Sequence, residues 1–319
     1  MDLGRAMKMK SITMRTPLDR SNANRGFTLI ELVVAMTVTF IVSMAVIANY
    51  ISQEDAAETV QQVAKMQQQL RGAMYIMEQD MRLTGYDPQE SGLFGVTDVR
   101  RYSITDEQTQ SVPNQIGSPS LIVAYDWQQG AATSGDGLPN EIQPAYRLFD
   151  DNNDGILDLV RDDGIPPSPA NPRPLLAEGI DAIGFAYAFD DNEDGAIDRT
   201  AGGNIIWAVD SDNDGNLDTN LDANGDGVID LNDDTDGNYR ITPADSAGGG
   251  LASPVVPNRI RMVRVWLLAR ARTAARDFTN AGLFILVGDQ VVPGAAGGFN
   301  DNIRRRLLVR TMHCRNTGL

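Results

Sequence analysis

The first pattern along the chain is a sharp break between a polar, basic stretch and an unbroken apolar one. Residues 27–51 read FTLIELVVAMTVTFIVSMAVIANYI and contain one formal charge, Glu31. At ~1.5 Å of rise per helical residue, such a run crosses a ~30 Å hydrocarbon layer with some tilt. Beyond Ile51 the apolar positions thin to a stripe. Val60, Val63, Leu70, Met74, Met77 and Met81 recur three or four residues apart, most simply as core against a head domain. Gly85 ends the pattern where a C-terminal glycine is expected. One helix over 27–84, roughly 85 Å long, is predicted, with 27–51 as its membrane segment.

After Gly85 the texture changes to short apolar runs separated by Pro, Gly, Asn and Asp. Strands are predicted over 120–126, 182–189, 204–209, 259–270, 283–288 and 304–314. The fold class is therefore α+β: a long N-terminal helix packed on an antiparallel sheet head spanning 85–319.

One pattern within the head repeats four times, beginning at Asp150, Asp190, Asp210 and Asp222. Each copy has Asp at position 1, Asp or Asn at 3, Asp at 5, Gly at 6 and Asp at 9. The candidate ligands are Asp150, Asn152, Asp154 and Asp158; Asp190, Asn192, Asp194 and Asp198; Asp210, Asp212, Asp214 and Asp218; and Asp222, Asn224, Asp226 and Asp230. This is the spacing of an EF-hand-type Ca²⁺ loop, in which a tight turn brings hard oxygen donors to one point. Position 8 is apolar every time: Leu157, Ile197, Leu217 and Ile229. A merely solvated acidic run has no reason to keep that offset. No copy has Glu at position 12, but Asp162, Asp222 and Asp234 stand at position 13 and are expected to close three of the loops, Asp222 also opening the fourth. A partial fifth run is Asn232–Gly237. The flanks are strand-like or irregular, resembling the bare calcium loops of dockerin or thrombospondin repeats. Two to four Ca²⁺ sites in the insert 150–240 are expected.

Charge sharpens this division. The chain carries a net −16, which argues against nucleic acid as a partner. The first 26 residues are nonetheless net +4, while residues 150–240 are net −19. Cys314 is alone, so no intramolecular disulfide forms, and Ca²⁺ is expected to staple the head instead. The only histidine, His313, lies beside Cys314 in the last predicted strand. No phosphate-binding glycine loop, zinc-type cluster or G-x-S-x-G is present, and neither an enzyme nor a small-molecule substrate is expected.

The basic leader is not an ordinary secretory signal, because the apolar run follows the Arg25–Gly26 junction and no A-x-A-type site closes it. Arg15, Arg20 and Arg25 place the N-terminus in the cytoplasm and the head outside. Glu31, a carboxylate at membrane depth, needs a partner. Cleavage after Gly26 would supply one, the new α-amino group of Phe27 or that of a neighbour. The string Gly26-Phe27-Thr28-Leu29-Ile30-Glu31-Leu32 resembles the class III signal of type IV pilins and type II secretion pseudopilins. The resemblance implies a pilin-like fold and cleavage of a 1–26 leader by a prepilin peptidase. It also implies N-methylation of Phe27 and a docking role for Glu31 in filament assembly.

The segment Met74–Tyr86 resembles the end of the long helix in PilW-like minor pilins, and residues 260–270 and 305–316 are similar to their last strands. That implies a low-abundance subunit, anchored in the inner membrane by a single pass, that primes pilus assembly or sits in a tip complex with other minor and major pilins. A J-type pseudopilin of type II secretion and a calcium-dependent tip adhesin are the alternatives.

Overall fold

The computed structural model describes residues 26–89, 91–102, 118–126, 143–150, 154–162, 174–246, 249–276, 278–280, 284, 286–287 and 299–317. The leader before Gly26 and the ligand candidate Asn152 lie outside the described residues. Two compact units are resolved, one ending at Glu54 and one running from Asp55 to Leu319.

Helix α1, Leu29–Leu83, runs through both units. In the first unit its side chains are exposed, and its most apolar window has a mean hydropathy of 2.4, enough by length and composition to cross a membrane. Three polar side chains of this stretch bond within the helix. Thr37, Thr39 and Asn49 each donate to the carbonyl four residues back at 2.8 Å, which lowers the cost of carrying those donors into an apolar layer.

In the second unit α1 turns Met66, Leu70, Ala73, Met74, Met77 and Met81 into the main core. The predicted methionine stripe is thus a packing face, as its spacing requires. Val60 is the exception: it is 67% exposed, because the stripe engages the head only from Val63 onward. At the end of the helix Gly85 has φ +80°, and a Cβ there would lie 2.7–2.9 Å from Thr317 and Asn316. Only glycine admits this approach. It lets Asn316 donate to the carbonyl of Arg82 at 2.9 Å, so the C-terminal segment caps the helix.

The strands are β1 (Gly95–Asp98), β2 (Arg101–Tyr102), β3 (Ser118–Pro119), β4 (Leu121–Ala124), β5 (Ala145–Phe149), β6 (Asp158–Asp162), β7 (Leu175–Ala177), β8 (Ile180–Phe189), β9 (Ala208–Val209), β10 (Leu217–Asn220), β11 (Arg240–Ile241), β12 (Gly250–Val255), β13 (Ile260–Arg270), β14 (Leu286–Val287) and β15 (Arg305–His313). One antiparallel sheet has the order β1-β4-β5-β6-β7, and a second has the order β12-β10-β9-β8-β13-β15. The predicted strands at 182–189, 259–270 and 304–314 are the three longest, β8, β13 and β15. That at 204–209 shrinks to β9, because residues 190–206 are spent on an acidic loop and a turn.

The six-stranded sheet is covered on both faces. Phe185, Tyr187, Phe189, Val263, Val265 and Leu267 face the main core with α1. Ala186, Ala188, Met262 and Trp266 face a second cluster with Trp207, Leu221, Ile229, Ile241 and Val287. This is why β8 and β13 read as near-continuous apolar runs. Gly184 in β8 marks where the second layer presses closest: a Cβ there would fall 1.9 Å from the carbonyl oxygen of Val287 in β14.

The five-stranded sheet is locked to α1 by a buried polar network. Asp80 of α1, 6% exposed, accepts from Tyr125 at 3.0 Å, from Arg161 Nε at 2.7 Å, and from the hydroxyl of Tyr146. Burial, followed by the Asp80 charge, raises both phenols above their ordinary range. Replacing one partner leaves the others stranded, which costs more than the net value of the pair. Asp80→Ala is expected to lose about 3–5 kcal/mol of stability in the head, read as a shift in the denaturation midpoint. Asp80→Asn, which keeps the shape and one acceptor, should lose less.

Candidate functional site

Among the described residues the acidic segments share one hydrogen-bond pattern at five places, where the sequence pattern predicts four loops and a partial fifth run. In each, the carboxylate at position 1 accepts from the backbone N–H groups of positions 5 and 6. For Asp150 the donors are Asp154 and Gly155, for Asp190 Asp194 and Gly195, for Asp210 Asp214 and Gly215, and for Asp222 Asp226 and Gly227, at 2.7–3.2 Å. The side chain at position 5 then accepts from the N–H of position 7, as Asp154, Asp194, Asp214 and Asp226 do at 2.7–2.8 Å. Position 6 has positive φ throughout, 77–96° at Gly155, Gly195, Gly215 and Gly227. That is the sharp bend which aims alternating side chains at one point.

The fifth loop begins at Asp234, two residues after the run the sequence suggested. Asp234 accepts from Asn238 at 3.1 Å and Tyr239 at 2.7 Å, and Asn238 accepts from Arg240 at 2.8 Å. Tyr239 occupies position 6 at φ 63°, a conformation costly for a side chain this large. Asp234 therefore accepts within a loop of its own, and the carboxylate that bonds back into the fourth is its neighbour, Asp233.

Asp233 and Asp245 are the residues that sequence reasoning missed. Each stands at position 12 of its loop and ends a single 3₁₀ turn, Leu231–Asp233 or Pro243–Asp245. Asp233 accepts from Ala223, Asn224 and Asp230 backbone N–H groups at 2.8–3.2 Å. Asp245 accepts from the matching donors Thr235, Asp236 and Thr242 at 2.8–3.4 Å. These are the place and turn from which an EF-hand-type loop delivers its last ligand. The signal was present as D-x-D-x-N-x₃-T-x₂-D from Asp234, but Tyr239 at position 6 and Gly237 at position 4 hid the register.

The other candidates are less evenly disposed. Asp210, Asp212 and Asp218 bring carboxylate oxygens within 4.8 Å of one another, as do Asp234, Asp236 and Asp245. In the first loop Asp158 accepts the Gly179 N–H at 2.8 Å, and Asp154 lies 3.6 Å from Arg272. Asp162 ends β6 and pairs with Arg147. In the second, Asp198 accepts from Asp191, Asn192 from Asp194, and Arg261 stands 3.8 Å from Asp190. Asp222 spends both oxygens on the turn of the fourth loop, where Asn224 also accepts from Asp226 at 2.8 Å. Asp230 caps the 3₁₀ turn that carries Asp233. The donors are oxygen throughout, the set a hard divalent cation such as Ca²⁺ prefers.

The position-8 residues account for the regular apolar offset. Ile197, Ile229 and Ile241 enter or pack on the second core, and Leu157 and Leu217 enter the main one. Each loop thus carries an apolar peg into the sheet.

At the other end of the chain Gly26, Phe27 and Thr28 precede the helix in non-helical conformation. Among the described residues, a Cβ at Gly26 would meet nothing within 4 Å. Thr28 and Glu31 form a reciprocal cap: the Thr28 N–H and hydroxyl both donate to Glu31 Oε2 at 2.9 Å, and the Glu31 N–H reaches Thr28 Oγ1 at 3.3 Å. Glu31 therefore has an intrachain partner besides the amine that cleavage would create.

Residues 21–47 match the family described as the prokaryotic N-terminal methylation motif. No curated protein matches the chain. Among solved structures, a type IV-like pilin from Thermus thermophilus is similar at 14% identity and a TM-score of 0.37, with 80% of this chain and 99% of that one covered.

Burial pushes the carboxyl of Asp210 up to about 6, against the lowering effect of backbone N–H groups from Gly215 and Asn213. Its folded form holds a proton more tightly than the unfolded chain does. The stability it contributes is present below the ordinary value of 3.8 and is lost as pH rises through about 6. In chelator, the melting temperature of the full chain in detergent should rise as pH falls from about 7.5 to 5.5, with at most about 0.8 kcal/mol from this group over that window, since only its first half unit below pH 6 is reached at ~1.4 kcal/mol per unit. Asp210→Asn should flatten that rise; an unchanged slope would remove Asp210 as its source.

Proposed function

We propose that this chain is a minor subunit of a type IV filament, processed after Gly26 and held in the inner membrane by the first half of α1 until assembly. The observation that carries the reading is the N-terminal methylation motif at 21–47 joined to a long apolar helix. A prepilin peptidase would cut after Gly26 and methylate Phe27, and Glu31 would then choose between its own Thr28 and the α-amine of a neighbouring subunit. Among other pilins a subunit with a large, loop-rich head suits a priming or tip position, where fewer neighbours crowd the head.

Gly26→Val should leave the leader attached, read by mass spectrometry as absence of the N-methyl-Phe27 terminus. Glu31→Val should be processed normally yet fail to enter sheared filaments. Loss of piliation on gene deletion with secretion intact supports the pilus assignment, and the reverse result moves the chain to a secretion pseudopilus.

The acidic loops would bind Ca²⁺ as the staple of the head. Supporting this are the all-oxygen donor sets, the position-12 carboxylates Asp233 and Asp245, and the pegs that join the loops to the second core. The fourth and fifth loops meet at the peptide bond between Asp233 and Asp234, so ordering one would order the other. Outside the cytoplasm, sites of ~10⁻⁴–10⁻³ M are usable. With the cation bound, carboxylate repulsion is offset and binding energy becomes folding energy. Trp207 and Trp266, 1% and 4% exposed, lie under the loops and report on them. Chelation should red-shift and quench their fluorescence and lower the melting temperature, and millimolar Ca²⁺ should restore both; identical spectra and melting in the two conditions would refute the staple.

A further inference from the structure

The six-stranded sheet is polarised in charge along its strand order. Strand β15 forms one edge and β12 the other. Residues 302–317 contain five arginines and no acid. Arg305 is buried against Asp181 and Asp301, and Arg304 lies over the ring of Phe278. Arg306, Arg310 and Arg315 are exposed. Strand alternation places Arg306 and Arg310 on the side of Leu308 and Met312, which faces the core containing α1. There Glu78 pairs with both Arg82, at 2.6 Å, and Arg310. Two half-exposed arginines share one carboxylate, so the seam between α1 and β15 keeps a surplus of positive charge among the described residues.

The opposite half of the same sheet carries the reverse. The second, third and fourth loops follow β8, β9 and β10, and the fifth follows the fourth directly; residues 190–236 hold fifteen acids against Arg199, with Arg259 and Arg261 reaching Glu193 and Asp190 from outside the segment. Four divalent cations would leave that half negative. The third to fifth loops stand beyond β8 and β13 from the seam in the strand order, so a chain does not present them to its own Arg306 and Arg310.

We propose that the α1–β15 seam of one copy docks on the acidic loops of a second copy, a head-to-tail contact that leaves a free seam at one end and free loops at the other. The occupant follows from complementarity: both signs are on one chain, at separated places on one sheet, so a second copy supplies the match by construction. The contact does not depend on the loops being metal-filled, nor on the filament assignment.

The full chain in neutral detergent tests this by cross-linking. One tagged population carries Gln79→Cys, exposed on α1 beside Glu78 and Arg82, and the other carries Ala223→Cys, exposed in the fourth loop outside the ligand positions. The native Cys314 is buried, its thiol pushed up to about 12 by burial, and stays silent. Mixing under mild oxidation should give a mixed-tag disulfide dimer. Its yield should fall about tenfold in 0.5 M salt, as expected for exposed charges, and comparably with Arg306→Glu at unchanged melting temperature. Should Arg306→Glu fail to fold, the salt arm alone decides. No mixed dimer, or one whose yield ignores both salt and charge reversal, overturns the proposal; the second result would assign association to the apolar helix.

Discussion

A sheet whose central strands are apolar on both faces needs two covers, and much of the head follows from how the second is made. Strands β8 and β13 send Phe185, Tyr187, Val263 and Val265 to one side and Ala186, Ala188, Met262 and Trp266 to the other. Helix α1 covers the first side with a conventional apolar stripe. The second is covered by loops whose backbone is organised by carboxylates, with Ile197, Ile229 and Ile241 pointing inward. The hydrophobic gain of those pegs is tied to a fold that clusters like charges, so the loops and the second core are stable together or not at all.

The first cover is fixed in place by polar contacts. Methionines at 74, 77 and 81 are adaptable and specify little about where a helix sits. Asp80, satisfied by two tyrosines and Arg161 from the five-stranded sheet, does specify it, since any slip strands a buried charge. At the top, Gly85 and Asn316 bind the end of the helix to the C-terminal segment. Segments 234 residues apart in sequence thus meet at one helix terminus.

Much of this was legible in the sequence because its signals are periodic. The apolar run from Phe27, the stripe to Met81, the three long strands and the first four loops each repeat a fixed spacing. What escaped was non-periodic or disguised. The β5–β6 hairpin is short, and its connection is the first acidic loop, so the loop pattern masked the strands on either side. The fifth loop replaces the expected glycine with Tyr239. The capping role of Glu31 was visible as Thr-x-x-Glu but was overshadowed by its cost at membrane depth.

Position 12 shows how one repeat was put to different uses. The fourth and fifth loops have Asp233 and Asp245 there, buried and turned into their loops. In the first loop the same position is Arg161, which reaches away to Asp80 and locks the helix. In the third it is Leu221, fully buried in the second core beside Trp207. In the second it is Ala201, exposed in a turn, and Arg261 approaches Asp190 from β13. A side chain at position 12 faces either the loop or the protein interior, and where it serves the interior the loop lacks that carboxylate. The head therefore exchanges loop carboxylates for core contacts copy by copy, and the two copies with Asp at position 12 are the adjacent pair furthest along the chain.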